Sequence, residues 1–460
     1  MKNLTINSVT KVCKGTLYGA KEQDQNVEFT GVVIDSRKIE PGNLFIATKG
    51  ERVDGHSFIP SSFEKGCYAV ICEVLPENIT GPCILVKDSF QALKDIAEFY
   101  RIGLSVKVVG ITGSVGKTST KEFIAGVLSE KYKVLKTQGN FNNEVGLPLT
   151  VLQITEEHEV AVLEMGISHF GEMHRLSKIA RPDICVITNI GQCHLEFLGD
   201  RDGILRAKTE IFDYLPKGGK VCLNGDDDKL NSIHMVGEST PKRYGRNSGC
   251  DVYATDIQSR GLLGSTAKIH VKNEENNYYV IDATIPIPGE HMVDNAMAAT
   301  LVGRMLGLSL EQITSGIANV ASVSGRSNVI KTKHYVLIDD CYNANPVSMK
   351  AAIDLLATAD TRKVAVLGDM FELGEEEDIL HRQIGEYAEE KKIDIILCVG
   401  ILAKNMFDGC KRSSNSVVKW FQTKQELMVT IQEIIKENDT ILIKASHGMG
   451  FTEVVDLLKK

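Results

Sequence analysis

Residues 106–119, which read V-K-V-V-G-I-T-G-S-V-G-K-T-S, are the stretch that decides the fold. The run 106–112 has the apolar pattern of a buried strand, a glycine-rich turn follows, and a helical pattern extends over about 118–131. Glycines allow backbone N–H groups to approach a phosphate, and a helix N-terminus adds positive potential. This order of strand, loop and helix therefore predicts a triphosphate site at the carboxyl end of a parallel strand.

The side chains of this loop indicate how a nucleotide is held. Lys117 is predicted to contact the β and γ phosphates, and Thr118 to offer its hydroxyl to Mg²⁺. The full phosphate-loop pattern needs a glycine where the chain has Ile111, so only the shorter core is present. A chance glycine-rich turn with a solvated lysine is the alternative, but the flanking strand and helix favour nucleotide binding. No GxGxxG sequence lies at a strand-to-helix junction, which disfavours a nicotinamide cofactor.

Length and composition describe a multidomain globular chain. The 460 residues correspond to about three domains of roughly 150 residues each. Lys and Arg number 52 against 60 Asp and Glu, and the resulting net charge of −8 argues against a nucleic acid or an anionic membrane as the main partner. The N-terminus has no signal-peptide pattern, and no apolar run approaches the roughly 18 residues of a membrane span. The eleven cysteines include no CxxC pair, so we expect a reduced, cytoplasmic protein.

Short apolar runs alternate with helix-length amphipathic stretches, which is typical of an α/β protein with parallel sheets. We predict three domains over residues 1–103, 104–322 and 323–460. The first is a small α/β domain, the second a sheet that carries the phosphate loop, and the third a Rossmann-like doubly wound sheet. The expected strands are 28–34, 43–47, 69–72 and 83–86, then 106–112, 159–164, 184–188 and 221–223, and finally 335–339, 363–367, 393–399 and 440–444. Helices are expected over 89–100 and about 293–306, and an antiparallel insertion over 251–286.

Two polar residues are expected near the loop because each follows a strand of the same sheet. Glu164 ends one apolar run, and His194 comes shortly after another. A carboxylate at that edge can hold Mg²⁺ beside the phosphates, and an imidazole can be a further ligand. The alternatives are a surface glutamate and a packed histidine. Lys208 lies in a predicted helix and has the pattern of an ordinary helix-surface lysine.

Motifs along the whole chain resemble those of the Mur ligase family of bacterial cell-wall synthesis. They are Asp35-Ser-Arg37, 42–47 (GNLFIA), Asp54-Gly-His56, the loop 112–119, 140–149 (NFNNEVGLPL), Glu164-Met-Gly166, 188–191 (TNIG), 194–196 (HLE), 207–210 (AKTE), 339–346 (DDCYNANP) and 368–374 (GDMFELG). The loop is shared with folylpolyglutamate synthases. The stretches 140–149, 342–346 and 368–370 resemble the branch that adds D-alanyl-D-alanine, and the Asp-Asn-Pro-Arg sequence of the diaminopimelate-adding branch is absent.

The resemblance implies a role for many individual residues. It implies nucleotide contacts from Gly113, Ser114, Val115, Gly116, Lys117, Thr118, Ser119, Asn295, Arg326, Asp340 and Asn343. It implies contacts to a UDP-sugar substrate, in part through the N-terminal domain, from Ser36, Arg37, Asp54, His56, Asn142 and Asn143. It implies two Mg²⁺ ions held by Thr118, Glu164, His194 and Lys208, with Lys117, Glu164, His194 and Lys208 as catalytic residues.

Lys208 matches the carbamylated lysine of the family. A neutral lysine and CO₂ give an anionic carbamate that can hold a metal, whereas the unmodified ammonium would repel it. One departure from the family pattern lies near the C-terminus, where Lys444-Ala-Ser-His447 replaces the frequent Lys-Gly-Ser-Arg. The resemblance therefore does not supply an arginine at that position.

The resemblance also implies an activity. ATP would phosphorylate the terminal carboxylate of a UDP-N-acetylmuramoyl-tripeptide, and the amine of D-alanyl-D-alanine would displace the phosphate, as in peptidoglycan precursor synthesis. A carboxylate is a poor electrophile, and the acyl phosphate supplies the leaving group, while Lys117 and Mg²⁺ would neutralise the developing charge. We expect a monomer. Two alternatives stay open: an amide ligase of the same superfamily with another acceptor amine, and a nucleotide-dependent switch that hydrolyses ATP slowly.

Overall fold

The computed structural model describes residues 1–410 and 416–459. Three β-sheets follow one another along the chain, and each is covered by helices. This confirms the α/β class and the three-domain architecture. None of the helices in the described ranges combines the length and the apolar character that crossing a bilayer requires.

The N-terminal sheet has five strands in the order β1-β5-β4-β3-β2, and only the β1–β5 pair is antiparallel. Its strands are β1 Thr16–Tyr18, β2 Val32–Val33, β3 Leu44–Ile46, β4 Ala69–Cys72 and β5 Cys83–Leu85, and its helices are α1 Ile6–Val12, α2 Ile59–Glu64 and α3 Ser89–Ile102. The strand expected over 28–34 was too long, because Glu28 pairs only through an isolated bridge with Thr5.

The central sheet has nine strands in the order β14-β13-β12-β11-β10-β9-β6-β8-β7. They are β6 Lys107–Thr112, β7 Val134–Lys136, β8 Val160–Glu164, β9 Ile184–Ile187, β10 Lys220–Asn224, β11 Lys242–Gly245, β12 Val252–Ser259, β13 Ser265–Lys272 and β14 Tyr278–Ile285. The strands from β7 to β12 pair in parallel, whereas β12, β13 and β14 pair antiparallel, as the sequence indicated for 251–286.

Eight helices among the described residues belong to the central sheet. They are α4 Lys117–Ser129, α5 Gly146–Val151, α6 Glu172–Ala180, α7 Leu195–Leu198, α8 Arg201–Thr209, α9 Asp228–Asn231, α10 His291–Met305 and α11 Leu310–Ala318. Helix α4 turns Phe123, Ile124 and Val127 into the core, where none of them is exposed. Full burial of such side chains contributes roughly 1.5–3 kcal/mol each, which holds the loop before the helix in place.

The third sheet has six strands in the order β15-β16-β20-β17-β18-β19, with β15 as an antiparallel edge strand. The strands are β15 Asn328–Lys331, β16 Val336–Asp339, β17 Lys363–Gly368, β18 Ile395–Val399, β19 Val417–Phe421 and β20 Thr440–Lys444. The helices are α12 Pro346–Ala357, α13 Glu377–Glu390, α14 Ala403–Cys410, α15 Lys424–Ile434 and α16 Thr452–Lys459. Short 3-10 helices along the whole chain are Glu22–Asp24, Ser36–Lys38, Gly55–Phe58, Glu210–Phe212, Gly261–Leu263, Gly374–Glu376 and His447–Met449.

The register of the central sheet brings the expected site residues to one edge. Ile111 of β6 pairs with Glu164 of β8, and Thr112 pairs with Ile187 of β9. The segments that leave these three parallel strands therefore start side by side. The central and third domains also contact each other through a hairpin. Leu262, at the tip between β12 and β13, packs against the third-domain core that contains Leu355.

Candidate active site

The loop between β6 and α4 is shaped by two glycines. Gly113 has φ 152° and a side-chain carbon there would lie 1.9 Å from Oγ1 of Thr188, so no larger residue fits. Gly116 has φ 84° and caps the N-terminus of α4. Left-handed backbone of this kind favours glycine because a side chain would clash with the backbone. The loop thus places the free N–H groups of the helix start at the end of β6.

The segment after β9 holds this loop in its conformation. The backbone N–H of Ser114 donates to the carbonyl of Asn189 at 3.0 Å, and the N–H of Val115 donates to Asn189 Oδ1 at 2.9 Å. The carbonyl of Val115 in turn accepts from Thr188 Oγ1 at 2.7 Å and from Asn189 Nδ2 at 2.9 Å. Gly191 N–H also donates to Ser114 Oγ at 2.9 Å. These contacts fix the loop before any ligand binds.

Lys117 folds back onto its own loop. Its Nζ donates to the carbonyl of Gly113 at 2.7 Å and lies 3.4 Å from that of Ser114. Burial lowers the pKa of the Lys117 amine, while Cys193 and Glu164 act in the opposite direction. The ammonium therefore lies against the two loop carbonyls at the start of α4. At that position it would neutralise charge on the phosphates of a nucleotide.

Arg326 of the third domain reaches the same helix start. Its guanidinium donates to Thr118 Oγ1 at 3.3 Å and lies 4.0 Å above the ring of Tyr342. The Nε atom of Arg326 is buried without a hydrogen-bond partner. A buried, unpartnered donor beside the phosphate loop is a group that an anionic ligand would satisfy.

Glu164 is almost fully buried, which rules out a surface role. Its Oε1 accepts from Asn142 Nδ2 at 2.7 Å, whereas its Oε2 has no hydrogen bond. Lys121 Nζ lies 3.8 Å from that Oε2. Sequence reasoning missed Lys121, although its position one helical turn after Lys117 indicates that both side chains share a face of α4.

His194 and Lys208 lie behind the loop in different surroundings. His194 Nδ1 lies 2.6 Å from Oε2 of Glu372 in the third domain, and both side chains line the same cavity. The surface pattern assigned to Lys208 alone was wrong, because the side chain is only 1% exposed. Burial lowers the pKa of its amine to about 8, with Cys193 acting against this and Lys117 adding to it.

Two cavities meet at the phosphate loop, between the central and third domains. The first, the apolar cavity, has a volume of about 380 Å³ and is walled by Tyr244, Met292 and Val347 together with Asn295 and Asp340. Asn295 Oδ1 accepts from Thr120 Oγ1 at 2.7 Å, and Asp340 Oδ2 accepts from Lys444 Nζ at 2.6 Å. A flat apolar ring with polar edges suits this cavity.

The second, the polar cavity, has a volume of about 600 Å³ and lies on the other side of Arg326. It contains the predicted site residues Lys117, Thr118, Asn142, Asn143, Glu164, His194 and Asn343, together with Glu372. Asn143 also has a structural role, because its Oδ1 accepts from the N–H of Gly146 at 2.8 Å at the start of α5. Val115, Gly116, Arg326 and Ser348 line both cavities, so a ligand can pass from one to the other along the loop.

The residues predicted to hold the UDP-sugar in the N-terminal domain lie outside both cavities. Arg37 pairs with Asp35 at 2.8 Å and is otherwise solvated, and the backbone carbonyl of Ser36 accepts from Lys65. Asp54 Oδ1 lies 2.7 Å from His56 Nδ1, and His56 Nε2 accepts from the N–H of Glu73 at 2.8 Å. Their role in substrate binding stays a prediction.

Comparisons with known proteins agree with this geometry. The family models described as Mur ligase family catalytic domain, Mur ligase middle domain and Mur ligase glutamate ligase domain match residues 28–109, 111–303 and 325–447. The UDP-N-acetylmuramoyl-tripeptide–D-alanyl-D-alanine ligase of Bacillus subtilis is 40% identical over 99% of this chain and 98% of its own length.

Solved structures show the same relationship. The crystal structure of MurF from Acinetobacter baumannii has a TM-score of 0.88 with 33% identity over 99% of both chains. MurF from Thermotoga maritima in complex with ADP has a TM-score of 0.80 with 30% identity over 93% of this chain and 97% of that chain. With three matched domains and a full-length relative at this identity, the chain belongs to the Mur ligase family.

Proposed function

We propose that this chain is an ATP-dependent ligase that joins D-alanyl-D-alanine to a UDP-N-acetylmuramoyl-tripeptide. The observation that carries the proposal is the pair of cavities, one apolar and one polar and each walled by two domains, that meet at Val115, Gly116 and Arg326, with Lys117 and Thr118 lining the polar one. A nucleotide base fits the apolar cavity, and an acid substrate fits the polar cavity beside the outermost phosphate. The named activity of full-length relatives at 35–40% identity supports the substrate pair.

Different residues would bind the nucleotide and the acid substrate. Asn295 and Asp340 offer polar contacts to the nucleoside, and the loop from Gly113 to Ser119 offers backbone N–H groups to its phosphates. Lys117 and Arg326 would lie on the transferred phosphoryl group, whose charge grows in the transition state. Asn142 and Asn143 then face the acid substrate in the polar cavity, and Asn343, which the family resemblance predicts as a nucleotide contact, lines that same cavity.

The reaction consists of two displacements, the first at the γ-phosphorus of ATP and the second at the acyl carbon of the acid. A carboxylate oxygen attacks the γ-phosphorus and ADP leaves, so that an acyl phosphate forms. The uncharged amine of D-alanyl-D-alanine attacks the carbonyl carbon, one proton is lost, and the C–O bond to phosphate breaks. Phosphate therefore carries away one oxygen of the substrate carboxylate, which is a traceable signature.

Magnesium fits the donors present beside the loop. The buried Oε2 of Glu164 has no hydrogen bond, and the hydroxyl of Thr118 lines the same cavity. No group of three or more His, Cys, Asp or Glu side chains within residues 1–410 and 416–459 is arranged to hold a metal ion. Mg²⁺ would therefore take further ligands from phosphate and water, as it commonly does. When bound, it would neutralise charge on the phosphoryl oxygens.

Lys208 can act as an anionic metal ligand only after its amine has been modified. Its buried amine, with a pKa lowered to about 8, is neutral far more often than an exposed lysine at the same pH. Carbamylation requires that neutral form. We propose that the Lys208 carbamate and His194 hold a second Mg²⁺.

Isotope transfer tests the function directly. The purified chain is incubated with ATP, Mg²⁺, D-alanyl-D-alanine and UDP-N-acetylmuramoyl-tripeptide that carries ¹⁸O in its terminal carboxylate. We expect the pentapeptide product and one ¹⁸O atom in each released phosphate. Phosphate that is released without the dipeptide, or without ¹⁸O, would contradict ligation and favour a nucleotide switch. Replacing the dipeptide by other amino acids identifies a ligase with a different acceptor.

Three further features belong to the same proposal. Domain limits at residues 103/104 and 322/323 separate the three functional units. The enzyme acts as a cytoplasmic monomer, for which sedimentation at working concentration is the test. A mass near that of two chains, twice 50.5 kDa, would contradict it.

A further inference from the structure

One contact joins the third domain to a predicted ligand residue of the central domain. Nδ1 of His194 is in direct contact with Oε2 of Glu372, at 2.6 Å. His194 precedes α7, and Glu372 lies in the loop between β17 and α13. The side chains reach the polar cavity from opposite sides, so the contact exists only when the two domains are together.

The backbone has an unusual conformation at both residues of this contact. His194 has φ 51° and Glu372 has φ 62°, which are left-handed conformations that residues with a side chain rarely adopt. A side-chain carbon added at Gly374, two residues after Glu372, would lie 3.9 Å from the backbone nitrogen of Glu196, so the two segments pass close to each other. Strained backbone of this kind persists where the surrounding structure requires it, often at functional sites.

The contact between His194 and Glu372 is unsuited to a purely stabilising role. Glu372 has a side chain that is 47% exposed, and exposed ion pairs contribute little to stability. Instead, the carboxylate can fix the orientation of the His194 ring. Because the Glu372 carboxylate contacts Nδ1, Nε2 is the ring nitrogen that would meet a ligand in the cavity. A carboxylate behind a metal-binding histidine commonly orients the ring in this way.

We propose that Glu372 is a positioning residue that orients the His194 ring from the third domain, so that this part of the site is complete only when the domains meet. The inference rests on the proposed function. It assigns to a residue of the third domain a role inside the central domain's phosphate site. Glu372 acts through His194 and does not itself touch the reacting atoms.

Three variants of the full-length chain test the proposal. Glu372→Ala removes the carboxylate, Glu372→Gln keeps an acceptor oxygen of similar shape, and Glu375→Ala removes an exposed acid from the same loop as a control. We expect Glu372→Ala to lower kcat by about 10- to 100-fold, as loss of an orienting partner commonly does, with KM for the UDP substrate within about twofold. Glu372→Gln should recover much of this loss, and Glu375→Ala should behave as wild type.

A spectroscopic readout separates positioning from a merely structural role. In protein with ¹⁵N-labelled histidine, the His194 ring signals, assigned through His194→Gln, should shift in Glu372→Ala and stay near wild type in Glu375→Ala. Unchanged ring signals or an unchanged kcat in folded Glu372→Ala would overturn the proposal. If the wild type itself fails to ligate, the proposed function fails, while the ring signals still decide whether Glu372 orients His194.

Discussion

Lys117 donates to two carbonyl groups of its own loop, and a bound triphosphate must compete with them. The hydrogen bond to Gly113 is short, at 2.7 Å, whereas the one to Ser114 is long, at 3.4 Å, and both are partly buried. The competition costs little, because phosphate oxygens are charged acceptors and carbonyls are not. The Lys117 ammonium therefore lies at the start of α4 already and needs no large movement to bind a phosphate.

Replacing Lys117 by alanine should abolish ligation while leaving the fold intact. The loss removes one charge from the transferred phosphoryl group, and we expect kcat to fall by about 100-fold or more. Binding of the UDP substrate, measured by calorimetry without ATP, should stay within about twofold because Lys117 faces the nucleotide phosphates. Lys131→Ala, at the far end of the same helix region, is the control. Near-normal turnover in Lys117→Ala would refute the loop assignment.

The proposed carbamylation of Lys208 should be visible in the pH dependence of activity and in chemical rescue. Its pKa of about 8 means that the neutral, carbamate-forming amine becomes more abundant as pH rises through that value. At limiting CO₂ we therefore expect activity to increase between about pH 7 and pH 9. Lys208→Ala should be inactive and partly rescued by a small carboxylate such as acetate, whereas Lys217→Ala, on the surface, should be unaffected. Absence of rescue would leave the carbamate unsupported.

At the scale of elements, a hairpin of the central domain contacts the third domain outside the two cavities. The 3-10 turn Gly261–Leu263 joins β12 to β13 and reaches the end of α12. Leu262 packs against the third-domain core, while its neighbour Leu263 is largely exposed. The hairpin is therefore a second attachment between the domains, beside the contacts of Arg326 and Glu372.

Leu262→Ser should loosen the third domain without unfolding it. The substitution removes most of an apolar contact worth about 1 kcal/mol or more at partial burial. We expect a larger radius of gyration in solution. We also expect a higher KM for ATP, because residues of both the central and the third domain form the apolar cavity. Leu263→Ser offers a matched control on the same turn. Identical scattering from the two variants would show that the hairpin does not hold the domain.

At the scale of the whole molecule, the two cavities exist only because two sheets present their carboxyl edges to each other. Arg326 and Glu372 come from the third domain, and Thr118 and His194 from the central domain. Neither sheet alone encloses the phosphate loop. Excluding water between them strengthens every electrostatic contact with the transferred phosphoryl group.

An ATP analogue with both substrates should increase the population of this closed arrangement. A ligand in either cavity would contact both domains, so binding should favour the state in which the domains meet. Small-angle scattering should report a smaller radius of gyration with the full set of ligands than with none. A profile that ligands leave unchanged would contradict closure.

Local pattern was sufficient for the elements that carry the loop. Residues 106–112 were expected as a strand and form β6 over Lys107–Thr112, and the predicted helix is α4 over Lys117–Ser129. The strands that sequence reasoning missed are short or at edges. Val134–Lys136 is only half buried, and Val417–Phe421 has no fully buried side chain, so neither has the apolar run that marks a core strand.

The sequence by itself determined the α/β class, the phosphate loop, and the candidates Lys117, Thr118 and Glu164, because periodicity and strand ends are local properties. Only the tertiary structure decided that Lys208 is buried, that Asn189 holds the loop, and that Glu372 contacts His194. Those facts depend on residues far apart in the chain, and the free energy of such contacts comes from packing domains together. No local pattern records that packing.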